Sequence, residues 1–252
     1  MMVCLLRRMS VLLTPLAMVL VAAACGDDGI DDGPAGVGLV RIVHLSPEPT
    51  PNVDVLVNGE GVNVTDVPFG DSTSFFEFPA NSYDFDVIPT GGTVDDAVIR
   101  LEDFEVGVDE GFTFVAWGTL DDGTLPALAI EEDFAELPED TLQLRAVHVA
   151  EGVDTVDVYA VAVSDDTQLF GGLEEGTSQV LALPLAMVPE VDPVPVILDA
   201  NQDGSGDATF DVPADLFEDG AFVTVYAVDD GGLALFAHTR EDARDLARID
   251  PN

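Results

Sequence analysis

The chain has no lysine. Its 252 residues carry 8 basic side chains, all arginine, against 49 acidic ones, a formal net charge of −41. A surface this negative repels phosphate backbones and anionic headgroups, which excludes nucleic-acid binding and electrostatic docking on membranes. It concentrates cations instead, either as a solvated atmosphere or at specific divalent-ion sites. Cysteine is almost as scarce. Cys4 and Cys25 are the only two, and Cys4 falls in an N-terminal leader, so no internal disulfide is available and the folded body stands on packing alone. Catalytic signatures are missing as well: there is no G-x-S-x-G elbow, no H-E-x-x-H and no phosphate-binding glycine loop. Acid pairs such as Asp95-Asp96 and Glu131-Glu132 follow from the composition and identify no glycoside hydrolase. Charges and prolines interrupt every apolar run after the leader, which excludes a later membrane-spanning helix.

What remains is apolar and short-ranged. Hydrophobic residues make up 47% of the chain, too many for a disordered acidic tail. They fall in brief runs bounded by Pro, Gly, Asn and Asp, without helical periodicity. Leu39–Leu45, Val53–Val57, Ser74–Phe78, Tyr83–Ile88, Ala97–Phe104, Phe112–Thr119 and Leu125–Ile130 read as strands, and Asn58-Gly59 and Asp121-Asp122-Gly123 as hairpin turns. The pattern then restarts. Leu144–Val149 repeats the first strand and Thr155–Val161 the second. Gly176-Thr177-Ser178 answers Gly70-Asp71-Ser72, and Phe222–Tyr226 with Asp229-Asp230-Gly231 answers Phe114–Trp117 with its own turn. The second copy carries a different insert between residues 184 and 210. The expected architecture is all-β: two tandem immunoglobulin-like β-sandwich domains behind a signal peptide. The boundaries are residues 38–135 and 140–240, followed by a tail, 241–252. Arg240–Ile249 has the composition of a short polar helix.

Residues 1–24 have the three parts of an export signal: Arg7 and Arg8, the apolar stretch Val11 to Val21, and small residues Ala22-Ala23-Ala24. The following Cys25-Gly26 completes a segment that resembles a bacterial lipoprotein box, although Ala22 stands where that family usually has Leu. The resemblance implies a lipidated Cys25 as first residue of the mature chain, anchored in a membrane. Ordinary secretory cleavage after Ala24 is the other reading. Residues 25–37, rich in Asp and Gly, then form a flexible acidic tether.

Val40-Arg41-Ile42-Val43-His44-Leu45-Ser46-Pro47, Val53-Asp54-Val55 and Val67-Pro68-Phe69-Gly70 resemble a bacterial domain of unknown function that often occurs in tandem in exported proteins and lipoproteins. The second unit keeps Arg145, Val147, His148 and Val156-Asp157-Val158-Tyr159 but loses the Ser-Pro and Pro-Phe-Gly. The resemblance implies an immunoglobulin-like or related sandwich, and no catalytic residues.

Repeated polar residues are the first site candidates. Arg41 and Arg145 occupy equivalent positions, as do Asp54 and Asp157, and His44 and His148. A guanidinium holds a carboxylate through two bonds, so Arg41–Asp54 and Arg145–Asp157 are the expected structural pairs, with ligand recognition the alternative. The histidines read as hydrogen-bonded strand residues rather than metal ligands. Trp117 and Tyr226 suit core packing better than carbohydrate stacking. The sharpest local motif is Asp199-Ala200-Asn201-Gln202-Asp203-Gly204-Ser205-Gly206-Asp207, similar to a calcium loop. Asp199, Asn201, Asp203 and Asp207 supply side-chain oxygens at the right spacing and Ser205 a carbonyl. Gly204 permits the sharp turn, and Phe210 stands where a bidentate Glu is usual. An acidic hairpin loop without an ion is the competing reading. The functional expectation is a non-enzymatic cell-envelope lipoprotein for adhesion, scaffolding or ligand binding, whose partner is an envelope protein or glycan. The alternatives are an uncharacterised envelope hydrolase and a plain spacer.

Overall fold

A computed structural model of the chain describes residues 36–47, 50–61, 64–120, 123–160, 167–240 and 246–252. The export signal, Cys25 and nearly all of the acidic tether lie outside the described residues, as does Asp121-Asp122 of one expected turn. Residues 33–252 form one compact unit.

The first half contributes β1 (Val37–Leu45), β2 (Val53–Val57), β3 (Glu60–Gly61), β4 (Asp71–Ser72), β5 (Phe76–Pro79), β6 (Asn81–Pro89), β7 (Ile99–Val106), β8 (Gly111–Trp117) and β9 (Ala127–Glu132). The second contributes β10 (Thr141–Val149), β11 (Thr155–Ala160), β12 (Gln168–Glu174), β13 (Thr177–Pro184), β14 (Val194–Asp199), β15 (Ala208–Val212), β16 (Phe222–Asp229), β17 (Leu233–Thr239) and β18 (Ala247–Ile249). Short 3-10 turns are the only helical elements among the described residues.

Each half is a β-sandwich, as expected. In the first, a sheet ordered β4-β1-β8-β9, with β5 also on β1, faces a sheet ordered β3-β2-β6-β7. In the second, β13-β10-β16-β17-β18 faces β12-β11-β14-β15. The first strand of each half runs parallel to a late one, β1 to β8 and β10 to β16, and lies in the sheet opposite its successor. Constant-type immunoglobulin sheets instead place their first two strands together. The two strand orders match, so the duplication read from sequence extends to topology. Segment 184–210 is not an insert throughout: β14 and the start of β15 are the counterparts of β6 and β7, and only the connecting loops differ.

Local chemistry accounts for most boundaries. The Asn58-Gly59 turn closes β2 onto β3 with both residues at positive φ, 52° and 75°, the conformation a two-residue hairpin requires. Val53, Val55 and Val57 face the core while Asp54 and Leu56 alternate outward. The C-terminal tail departs from expectation. Ala247–Ile249 is a strand on β17, with Leu235 opposite Ile249 and Ala237 opposite Ala247. Helix-favouring Ala and Arg yield there to the free edge of β17 and burial of Ile249. Residues 241–245 of that expected helix are outside the described residues.

Three apolar cores result. Val40, Ile42, Val55, Phe85 and Phe114 belong to the first, inside the first sandwich. Leu142, Leu173, Leu198, Phe210 and Leu235 belong to the second, inside the second sandwich. The third lies between the sandwiches, where Val43, Leu45, Val115 and Trp117 of the first half meet Val147, Val149, Tyr226 and Phe236 of the second. The sheet containing β1 and the sheet containing β10 are therefore covered on both faces. This explains why the last six residues of β1 and of β10 are all buried, whereas β2 alternates. The closest approaches are reciprocal. Gly70, at φ +83°, lies under the Phe236 ring, where an added Cβ would come within 3.0 Å. Its counterpart Gly176, at φ +73°, lies under Trp117 at 3.4 Å.

Candidate functional site

The repeated arginines point into this interface. Arg41 leaves β1 on the face of Val43 and Leu45, away from its own sandwich core, and is 1% exposed. Asp54 leaves β2 on the outer face of the opposite sheet. The expected Arg41–Asp54 pair therefore does not form, because a whole sandwich core separates the two. The Arg145–Asp157 pair fails for the same reason. Both guanidiniums converge instead on Glu132, the last residue of β9. Arg41 Nη2 donates to Oε1 at 3.0 Å, and Arg145 Nη1 donates to Oε2 at 2.6 Å. Arg41 Nε donates to Thr113 Oγ1 at 2.9 Å, and the Thr113 hydroxyl donates to Glu132 Oε1. Arg145 Nη2 donates to the Glu131 carbonyl at 2.9 Å. The Phe75 ring lies 4.6 Å from the Arg41 guanidinium carbon.

Electrostatics at Glu132 follow from this geometry. Burial pushes its carboxyl up, but Arg145 and Arg41 outweigh that, aided by the Thr113 hydroxyl, and hold it below the ordinary glutamate range. His238 closes the cluster. Its Nδ1 lies 3.4 Å from Arg41 Nη1 and 2.9 Å from the Thr239 carbonyl, and its Nε2 lies 3.1 Å from the Tyr226 hydroxyl. An Nδ1–H tautomer donates to Thr239 and accepts from Tyr226. Burial raises the Tyr226 phenol and keeps it neutral.

Glu132 has no acidic counterpart. In register, β9 sets Glu132 against Gly111, and the matching place beside Phe222 in the second half is taken by Arg240. Arg240 lies over the Phe222 ring at 3.6 Å and donates to the Asp133 carbonyl at 3.1 Å. One carboxylate thus serves two arginines. Glu131-Glu132, set aside in the sequence as composition, contains the residue that joins the halves. The available signal was the unbroken apolar run around Arg41, which is the pattern of a strand buried on both faces.

The other repeated residues have structural partners too. His44 Nδ1 lies 3.0 Å from the Val67 carbonyl, and His148 Nε2 lies 2.7 Å from the Val153 carbonyl. Neither is bonded to a serine or an acid among the described residues. Burial lowers both imidazoles below the ordinary histidine range, and the carbonyl contacts offset this only in part. Because the folded values lie below the unfolded one, the stability these groups contribute is complete above about pH 6.5. It declines as pH falls through the folded values. Urea titrations between pH 7.5 and 5 are expected to show the midpoint falling with pH, and falling less steeply in a His44→Gln, His148→Gln double variant. Equal slopes would mean that the histidines are not held neutral.

Asp54 and Asp157 anchor loops on the outer faces. Asp54 accepts from the N–H groups of Asp66 (2.7 Å) and Gly91 (3.0 Å) and from the Thr90 hydroxyl (2.9 Å). Asp157 accepts from the Gly172 N–H at 2.6 Å and from Gln202 Nε2 at 3.2 Å. Trp117 and Tyr226 are both packed into the third core, so neither ring face is offered to a sugar. The motif residues Asp199, Asn201, Asp203, Ser205 and Asp207 do share one loop, between β14 and β15. Their carboxylates take loop amides, and no three His, Cys, Asp or Glu side chains among the described residues already converge as a metal cage.

No curated protein matches the chain. A solved structure described as "Alpha-glucan binding by a streptococcal virulence factor" resembles it with a TM-score of 0.25 and 12% identity, over 77% of this chain and 94% of that one. Residues 38–159, which span the first sandwich and the first two strands of the second, match the family model of a domain of unknown function, DUF4397.

Proposed function

We propose that the chain is a non-enzymatic lipoprotein of the cell envelope. Its paired sandwiches form a rigid body for adhesion, scaffolding or ligand binding, held to a membrane through Cys25. The observation that carries this reading is the fate of the repeated polar residues. Arg41 and Arg145 are committed to Glu132, His44 and His148 to backbone carbonyls, and Asp54 and Asp157 to loop amides. What the two copies share is therefore spent on holding the body together, and recognition falls to the loops and outer faces where they differ. The leader supports the anchor, since Cys25 follows directly on Ala22-Ala23-Ala24 and precedes an acidic spacer.

The test is metabolic labelling of the full chain with an alkyne fatty acid in a bacterial host, followed by fractionation. Wild type is expected to take the label and sediment with membranes, and Cys25→Ser to do neither. An unlabelled wild type whose N-terminus begins at a free Cys25 would replace the anchor with ordinary secretion. A pull-down of the soluble body against envelope proteins and glycans tests the binding role. Turnover of an ester or glycoside panel by the purified body would overturn the non-enzymatic reading.

A further inference from the structure

The loop between β14 and β15 departs from the first sandwich in a way that points to a ligand. Val194, Val196 and Leu198 of β14 face the second core, which leaves Asp199 on the outer face. It is nevertheless only 1% exposed, because residues 200–207 fold back over it. Directly across the sheet, in register, stands Asp157. Two like charges opposite each other on neighbouring strands are destabilising. No cationic side chain among the described residues forms an ion pair with either. In the first sandwich the counterpart Asp54 faces Ile88, so this conflict belongs to the second alone.

Asp199 Oδ2 accepts the Gly204 N–H at 2.8 Å, which aims the carboxylate into the loop. Its Oδ1 is buried and has no hydrogen-bond partner. An unpartnered buried carboxylate oxygen is costly, the more so beside a second carboxylate. The rest of the loop offers oxygen donors and nothing softer. Asn201 Oδ1 takes the Asp203 N–H at 2.9 Å, and Asp203 Oδ1 takes the Ser205 N–H at 2.9 Å. Asp207 takes the N–H groups of Ala200 and Asn201 at 2.8 and 3.1 Å. Positive φ at Gln202, 56°, and at Gly204, 82°, gives the loop backbone two tight turns.

We propose that this loop binds one calcium ion. Asp199 supplies its unpartnered Oδ1, Asn201, Asp203 and Asp207 supply further side-chain oxygens, and Ser205 supplies its carbonyl. An all-oxygen set without His or Cys suits a hard cation. A loop with exposed, movable ligands suits calcium, which accepts irregular coordination, better than magnesium, which demands a tight octahedron. The ion neutralises the Asp157–Asp199 repulsion and draws Asp203 and Asp207 inward from their amide partners.

Calorimetry on the whole folded body, in about 0.15 M salt to screen diffuse binding, is the direct measurement. One ion per chain is expected, with a dissociation constant of about 10⁻⁴–10⁻³ M, the range of extracellular modules. Saturating calcium should raise Tm by several degrees over chelator. Asp203 is on the loop surface, so Asp203→Asn should leave the chelator-state Tm unchanged while weakening binding at least tenfold. Terbium locates the ion. Tyr159, whose hydroxyl lies 3.3 Å from Asp157 Oδ2, is placed to sensitise it. Tyr159→Phe should remove most luminescence excited at tyrosine wavelengths and leave the calcium heat in place. The proposal is overturned by an absence of calcium heat with equal Tm in calcium and chelator. It is equally overturned if Asp203→Asn binds as wild type, or if terbium emission survives in Tyr159→Phe.

Discussion

Glutamine in place of Glu132 is expected to destabilise the chain by roughly 3–5 kcal/mol, the usual cost of removing one partner from a buried ion pair. The amide keeps the shape of the carboxylate but has one acceptor oxygen in place of two, and its NH2 group faces a guanidinium as donor to donor. It cannot balance Arg41 and Arg145, whose guanidiniums are both buried against it. At about 2–4 °C per kcal/mol for a chain of this size, Tm should fall by roughly 6–20 °C. The matching control replaces the whole cluster. Arg41→Met, Glu132→Leu and Arg145→Met together remove every charge and are expected to recover most of the loss, since apolar residues of similar volume substitute well for buried charges. A Glu132→Gln protein melting like wild type would mean that the two arginines do not depend on a shared carboxylate. Acidity offers a second route to the same group. The folded carboxyl of Glu132 lies below the ordinary glutamate value, so its contribution is present above about pH 4.5 and is lost as pH falls through the lowered folded value.

Truncating Phe236 to alanine should cost about 3–5 kcal/mol, as large-to-small changes at buried aromatics do. Phe236 is 3% exposed, crosses Phe69 edge-on at 5.3 Å between centroids, and covers Gly70. The result can be read without a label, because Trp117 is the sole tryptophan and lies in the same core, 8% exposed. Its native emission is expected to shift to the red in Phe236→Ala. Phe210→Ala, deep in the second core, should lose comparable stability and keep the native Trp117 spectrum. Identical spectral shifts in both variants would show that Trp117 does not report the contact between sandwiches.

Strands and turns were legible in the sequence wherever their cause is local. Val53–Val57 alternates because one face is wet, and Asn58-Gly59 turns because those two residues tolerate positive φ. The repeat was legible for the same reason, being written twice. What the sequence hid was the use of the outer face of β1. Arg41 and Asp54 look like partners in the repeat, but a whole sandwich core lies between them. The outer face of β1 is covered by the second sandwich, and the chemistry of Arg41 is decided there by a residue ninety-one positions away. The C-terminal tail was misleading in the opposite sense. Its Ala, Arg and Leu favour a helix locally, and only the open edge of β17 makes Ala247–Ile249 a strand. The loop Asp199–Asp207 was visible as a motif because its residues are contiguous. The conflict beneath it was not, since Asp157 arrives from another strand.

The position of β1 also determines how the body answers to force. The chain enters the described unit at β1, which sits inside its sheet between β4 with β5 on one side and β8 on the other. Tension applied at that N-terminal end cannot peel an edge strand away pair by pair. It must slide β1 along β8, against a parallel ladder running from Leu39 opposite Gly111 to Leu45 opposite Trp117, while the arginine of that same strand is clamped to Glu132. A pull at that end is therefore resisted in shear by a strand whose last six residues are all buried, and not by the stepwise loss of an exposed edge.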